Sequence, residues 1–270
     1  MTDITVLMGI YNCADTLSEA LDSLLAQTYS GWKCILCDDG STDDTKNVAQ
    51  KYVEEFPEYF YLIVNNKNLG LNQTLNNCLE LADTEFVARM DGDDISLPTR
   101  FDKERNFLIE NPEFDIVSTP MIQFDEDGDF RVSTATPNPT KEQIVVGSHI
   151  CHAPCMIRTS AIKSVGGYTV SDKILRVEDV DLWIKMYSNG YRCHNLSEPL
   201  YKMRDDRNAT ARRKYKYRIN FTRVHLNGCK LMDLGIKYKI QCLLPMIIGL
   251  IPKTIYTYLH RNKQKYGRSS

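Results

Sequence analysis

Asp91-Gly92-Asp93 sets two carboxylates on either side of a glycine, and Asp94 follows directly. Carboxylates massed in one turn repel each other unless something positive sits among them. Hard divalent cations such as Mg2+ or Mn2+ take carboxylate and phosphate oxygens together. The spacing admits two readings, a metal site that uses Asp91 and Asp93 and an acidic loop that caps a helix, and a place after a strand adds weight to the first. Other polar clusters accompany it: Tyr11-Asn12, Asp38-Asp39 and Asn68. Asp39 can accept a hydrogen bond from an amide or a base edge, or it can be a turn residue before Gly40. Tyr11 can stack on a nucleobase, or pack at a strand end. Further on, Glu178-Asp179-Val180-Asp181 opens a helix, where acids compensate the dipole. In a chain that also holds an Asp-x-Asp, one of these acids is a candidate general base.

The elements that must position these groups follow from hydrophobic periodicity. Residues 4–8 read as a strand. Thr16 and Glu19 match a capping box, and Leu17, Leu21, Leu24 and Leu25 follow at helical spacing. Residues 33–37 read as a second strand, ended by Asp38-Asp39-Gly40-Ser41, and a helix covers 43–55. A third strand covers 59–64. Leu71, Leu75, Leu79 and Leu81 mark another helix. Residues 85–90 read as a fourth strand, ended by Asp91. This alternation predicts an α/β fold, a mostly parallel central sheet flanked by helices. Right-handed crossovers put the following loops on one edge, and ligands bind outside the carboxyl ends of such strands. Tyr11-Asn12, Asp38-Asp39, Asn68 and Asp91/Asp93 all sit at those ends, so four segments converge on one mouth. Beyond residue 98 the pattern predicts a helix from Pro98 to Ile109 and a strand at 114–119. A hairpin turn at Asp127-Gly128 follows, then a helix over 179–189 stopped by Gly190, and short strands at 191–196 and 199–203.

The chain has 270 residues, 43% hydrophobic and 25% charged, the composition of a globular protein rather than a disordered one. MTDITVLMGIYN has no basic n-region and no small-residue cleavage site, so it reads as mature protein that stays in the cytoplasm. Nine cysteines in strand-like and helix-like segments fit a reducing compartment. Cys34 and Cys37 read as buried thiols in a strand. His149, Cys151, His152 and Cys155 lack the paired spacing of a zinc site.

Charge divides the chain. Residues 1–199 hold 16 Lys/Arg against 32 Asp/Glu, and residues 200–270 hold 17 against three. The basic part carries Arg204, Arg207, Arg212, Arg213, Lys214, Lys216, Arg218 and Arg223 with Tyr215 and Tyr217 interleaved. The apolar stretch 242–252 comes next, followed by Lys253, Tyr256, Tyr258, Arg261, Lys263 and Lys265. That stretch is too short to span a bilayer, but basic and aromatic flanks let it lie on an anionic membrane surface as a peripheral anchor. The other reading is a helix docked on the body or on a second copy in a homodimer. No nucleic-acid motif accompanies the basic run, so nucleic acid is not expected as a partner.

In order and spacing, the stretches VLMGIYNCADTLSEALDSLLAQTYSGWKCILCDDGSTDDT, NLGLNQTLNNCLELADTEFVARMDGDDISLPTR, CMIRTSAIKSVGGY and VEDVDLW closely resemble the family 2 glycosyltransferases over residues 4–205. The resemblance implies a GT-A fold and an inverting, metal-dependent transfer of one sugar from a nucleoside-diphosphate-sugar. The donor would be a UDP-hexose or UDP-N-acetylhexosamine. The acceptor would be a hydroxyl of a polyprenyl-diphosphate-linked glycan in bacterial surface-polysaccharide (O-antigen or capsule) synthesis. It implies that Tyr11 and Asp39 contact the nucleotide and that Asn68 and Gly70 lie along the ribose and diphosphate. Asp91 would approach the ribose or sugar, and Asp93 would coordinate Mn2+ or Mg2+. Asp179 would be the base, Glu178 its support, and His152 a residue of the acceptor side; Asp94 and Asp181 stand further from direct roles. With a metal to stabilise the leaving diphosphate, one catalytic carboxylate suffices, unlike the pair a hydrolase needs. By the same resemblance residues 1–203 form the catalytic domain, with a nucleotide-sugar half over 1–97 and an acceptor half over 98–203. Residues 204–270 are a basic, partly amphipathic helical extension. Many members have Pro-Thr before the Tyr-Asn; here Gly9-Ile10 leave only backbone for a nucleotide contact at Ile10. A metal-dependent nucleotidyltransferase would carry a Gly-rich phosphate loop with a basic residue after Met8, and none is present. A non-catalytic scaffold of the same fold would have lost the Asp-x-Asp or Glu178-Asp179, and both are present.

Overall fold

The computed structural model describes residues 2–147, 149–205 and 215–249. Arg207, Arg212, Arg213, Lys214 and the basic and aromatic positions from Lys253 onward lie outside the described residues, as do residues 250–252 of the apolar stretch.

The first part of the chain alternates as expected: β1 (Ile4–Ile10), α1 (Ala14–Leu25), β2 (Trp32–Asp38), α2 (Thr45–Glu55), β3 (Phe60–Val64), α3 (Leu71–Leu81), β4 (Phe86–Arg89). There follow β5 (Ile95–Ser96), α4 (Arg100–Glu110), β6 (Ile116–Ser118), β7 (Met121–Asp125), β8 (Gly128–Val132) and α5 (Lys141–Val146). Then come β9 (Met156–Arg158), α6 (Thr159–Ser164), α7 (Glu178–Ser188), β10 (Cys193–Asn195), β11 (Tyr201–Arg204), α8 (Tyr215–Leu231) and α9 (Ile236–Gly249).

Seven strands form the central sheet in the order β10-β6-β9-β4-β1-β2-β3. The pairs β1–β2, β1–β4, β2–β3 and β6–β10 are parallel, and only β9 runs antiparallel to its neighbours. A smaller sheet, β5-β11-β7-β8, lies beside it. Val6 and Met8 face one core with Leu17, Leu21 and Leu24 of α1, while Leu7 faces a second core with Leu75 of α3 and Trp183 of α7. Successive strand residues point to opposite faces, so a strand covered on both sides must be apolar throughout. That is why these segments read as continuous runs.

The second core extends into α8, whose Val224 and Cys229 are buried with Ile184 and Val145. A Cβ on Gly228 would come within 2.8 Å of Ile184 Cδ1, so α8 approaches α7 closely there and a larger residue would push Ile184 aside.

Thr16 and Glu19 do not make the expected capping box. The helix α1 begins at Ala14, so both lie inside it. Thr16 Oγ1 donates to Gly92 O (3.1 Å), and Glu19 pairs with Arg204. The start of the helix is held from the neighbouring loop instead: Cys13 N donates to Thr45 Oγ1 (2.8 Å) and Ala14 N to Asp43 Oδ2 (3.2 Å). Cys34 and Cys37 are buried in β2, as read from the sequence.

Candidate active site

Three loops at the carboxyl ends of β1, β2 and β3 are bound to one another. Asn12 takes a left-handed conformation (φ 49°), which asparagine tolerates. Its Oδ1 accepts from Thr42 N (2.8 Å) and its N–H donates to Ser41 Oγ (3.1 Å). Gly40 has φ 73°, and a Cβ there would lie 2.9 Å from the Lys67 carbonyl carbon. Asp39 is buried and holds the next loop in place. Its oxygens accept from Leu69 N (2.8 Å), Gly70 N (2.9 Å) and Asn65 Nδ2 (2.9 Å). A carboxylate offers about four acceptor sites, so three of them are already used within the fold. Asn68 is exposed in that same loop.

The β4 loop closes the group from the other side. Gly92 does not have a positive φ; its reason is space. A Cβ would meet Cys13 Sγ at 3.0 Å and Ile10 Cγ2 at 3.1 Å. The turn brings oxygens of Asp91, Asp93 and Asp94 within 4.8 Å of one another. Asp94 is buried, and its Oδ1 accepts from Arg204 N (2.8 Å). Burial, then the charges of Asp91 and Asp93, push its carboxyl up to about 8. Burial and Asp91 also raise Asp93. Like charges this close fit a hard divalent cation among them. Among the described residues, this is the one cluster of His, Cys and acidic groups with such geometry.

Beside these acids opens a cleft of about 410 Å³, lined by Tyr11, Asp15, Asp91, Asp93 and Arg204, among others. Tyr11 stands 45% exposed on its rim. Arg204 is anchored by Nε donating to Asp93 O (3.0 Å) and by its pairing with Glu19.

The second set, Asp179, Glu178 and His152, does not line this cleft, and neither do Asp39, Asn68 and Gly70. Asp179 sits in the first turn of α7, half-buried. Desolvation, then the Glu178 charge, raises its carboxyl above the usual range, while the Val180 N–H and Arg89 oppose the rise. The His152 imidazole is held well below its ordinary value by burial and by Arg89, so it is neutral. Its Nε2 meets Tyr168 OH at 2.9 Å, and its ring lies edge-on to Trp183. Asp181 accepts from Thr169 Oγ1 (2.6 Å), which anchors a loop.

Arg89 connects the two groups. It is buried and donates from Nη2 to Asp91 Oδ1 (2.5 Å), and its charge acts on Asp93, Asp179 and His152. Neither Arg89 nor Arg204 was picked out for the site from the sequence. The signal for Arg89 was a lone cation in the apolar run 85–90, which an α/β strand does not bury without a partner. Arg204 gave no such signal, because it opens the basic run. Tyr201 was also missed; its OH accepts from Asp91 N at 3.2 Å.

The model of the family described as "Glycosyl transferase family 2" matches residues 5–166. Among curated proteins, EpsE of Bacillus subtilis (strain 168) is 36% identical over 98% of this chain and 96% of its own length. The amylovoran biosynthesis glycosyltransferase AmsE of Erwinia amylovora is 28% identical over 97% of this chain and 99% of its own. WfaP of Escherichia coli, a UDP-Glc:alpha-D-GlcNAc-diphosphoundecaprenol beta-1,3-glucosyltransferase, is 26% identical over 94% and 96%. The fold is that of GT-A glycosyltransferases. Residues 1–349 of TarS from S. aureus, in complex with UDP-GlcNAc, superpose with TM-score 0.71 at 20% identity, covering 91% of this chain and 72% of that one. The mannosyltransferase PcManGT of Pyrobaculum calidifontis, in complex with GDP-Man and Mn2+, gives 0.64 at 15% identity over 98% and 81%. With a family model over more than half its length and a relative aligned almost end to end, the chain belongs to glycosyl transferase family 2.

Proposed function

We propose that this glycosyltransferase moves a single sugar from a UDP-hexose or UDP-N-acetylhexosamine to a hydroxyl of a lipid-linked glycan in bacterial polysaccharide biosynthesis, inverting the anomeric carbon. The observation that carries the reading is the Asp91/Asp93/Asp94 cluster at the mouth of the parallel sheet, beside a cleft, with a separate acid at the opening of α7. The activity for which WfaP is named and the UDP-GlcNAc bound to TarS support the donor and acceptor classes. The Mn2+ in PcManGT supports a metal.

In this reading Tyr11 stacks on the base, and Asp39 contacts the nucleotide. The loop bearing Asn68 and Gly70 flanks the ribose and diphosphate, and Asp91 approaches the ribose or sugar. Asp93 and Asp91 would hold Mn2+ or Mg2+, which supplies positive charge for the departing diphosphate. Asp179 takes the proton of the acceptor hydroxyl. The acceptor oxygen bonds to the anomeric carbon as the bond from that carbon to the diphosphate oxygen breaks, and the nucleoside diphosphate leaves. His152 stands on the acceptor side with Tyr168. Residues 1–97 carry the donor half, 98–203 the acceptor half, and 204–270 the extension.

Calorimetric titration with UDP, GDP, dTDP and CMP, with and without Mn2+, tests the donor class. Metal-dependent binding of UDP is expected; a protein that binds none of the four has been misread. The acid limb of the kcat profile tests the base. Asp179 works only when deprotonated, and burial and Glu178 raise its value. Activity therefore falls at a pH above the ordinary carboxylate range. Glu178→Gln removes the repulsion and is expected to move that limb to lower pH. A limb that stays put means another group titrates.

A further inference from the structure

We infer that α9 is an interfacial helix that docks the protein on an anionic lipid bilayer through one exposed apolar stripe. Ile236, Ile240, Leu243 and Leu244 are 70%, 56%, 40% and 46% exposed. At 3.6 residues per turn these positions share one face of the helix. The opposite face is fastened to the protein: Cys242 is buried and Tyr238 packs against the second core. Thr222 Oγ1 donates to Cys242 O (3.2 Å), and Arg218 Nη1 donates to Pro245 O (2.8 Å). The stripe is therefore held outward by a folded support.

The flanks identify the occupant. Lys237 and Lys239 are exposed and border the stripe on opposite sides, and α9 contains no acidic residue. Ammonium groups on long stems at both edges of an apolar stripe suit a headgroup layer, where the stem lies along acyl chains and the charge meets phosphate. The surrounding sequence carries the same sign, with 17 basic residues against three acidic ones over 200–270. No helix among the described residues is long and apolar enough to cross a membrane. A second copy of the chain would have to set these lysines against each other across a two-fold contact or find acids that α9 does not offer.

The support also reaches the site. Asn220 Nδ2 of α8 donates to Asp172 O (3.1 Å) and Leu175 O (3.3 Å), just before Glu178 and Asp179. The docking helix is thus one packed helix away from the segment that delivers the proposed base. Membrane docking does not depend on which sugar is moved.

The test is co-sedimentation of the full chain with phosphatidylglycerol–phosphatidylcholine vesicles and with phosphatidylcholine alone, alongside nucleotide binding as a measure of an intact donor site. The wild-type chain should sediment with the anionic vesicles. The pair Ile240→Glu/Leu244→Glu should bind them about tenfold or more weakly, with nucleotide affinity unchanged. The pair Lys237→Gln/Lys239→Gln, which leaves the apolar stripe intact, should lose the preference for anionic over zwitterionic vesicles. Undiminished sedimentation of the Ile240/Leu244 variant overturns the inference. So does a wild-type chain that ignores vesicles and elutes as a dimer which this variant dissociates. Loss of nucleotide binding by the wild-type chain would instead sink the donor reading and leave the docking face standing.

Discussion

Replacing Asp179 by Asn is expected to lower kcat by about 10²–10⁴-fold, the usual contribution of a positioned general base, with donor affinity little changed. The substitution keeps the shape of the side chain and removes only its ability to take a proton. Because Asp179 lies outside the donor cleft, calorimetry with the diphosphate should give the wild-type result. Stability gives a second, independent signature. Desolvation and Glu178 raise the folded value of this carboxyl above its unfolded one. The folded state therefore holds the proton more tightly, and stability falls as pH rises between the unfolded and folded values. Asn removes that cost, so the variant should melt at the same temperature as the wild type or higher above this window. A variant that melts earlier and loses donor binding would show that Asp179 is structural and not the base.

The second large effect is expected at Asp93. Asp93→Ala should weaken Mn2+-dependent diphosphate binding by roughly 100-fold or more, since a ligand and its charge both disappear. Without metal the sign reverses. The acids around Asp93 repel a diphosphate, so the variant should bind the nucleotide as well as the wild type or better. An effect in the same direction with and without Mn2+ would mean that Asp93 shapes the cleft and holds no cation. The neighbouring Arg89 should not substitute for the metal, because its Nη2 already donates to Asp91.

Much of this arrangement was legible in the chain as written. The alternation of apolar runs and amphipathic segments through residue 90 placed β1 to β4 and α1 to α3, because strands covered on both faces and helices covered on one leave different periodicities. The hairpin at Asp127-Gly128 and the stop at Gly190 were equally plain, and Gly190 does take φ 88°. The antiparallel insertion of β9 between β4 and β6 was not. A three-residue strand carries too short a pattern to reveal its direction or its neighbours.

The local sequence misled at Thr16 and Glu19. Their spacing is that of a capping box, yet Asp43 and Thr45 from the next loop meet the start of α1. A tertiary donor or acceptor can replace a local one at no extra backbone cost, and nothing local reports it. The acid at 39 shows the same limit. Its place at a strand end was readable, but not that three of its acceptor sites are spent on the 65–70 loop.

The sequence by itself therefore determined the strands β1 to β4, the ends at which four polar segments stand, and the chemical types gathered there. These depend on periodicity and on short-range residue order, which are properties of the chain alone. Only the tertiary structure decided which charges share a space. Asp94 accepts the backbone N–H of Arg204, 110 residues later, and one buried guanidinium at Arg89 acts on Asp93 and Asp179 together. Desolvation and Coulomb energies depend on distance through folded protein, and separation along the chain does not encode that distance.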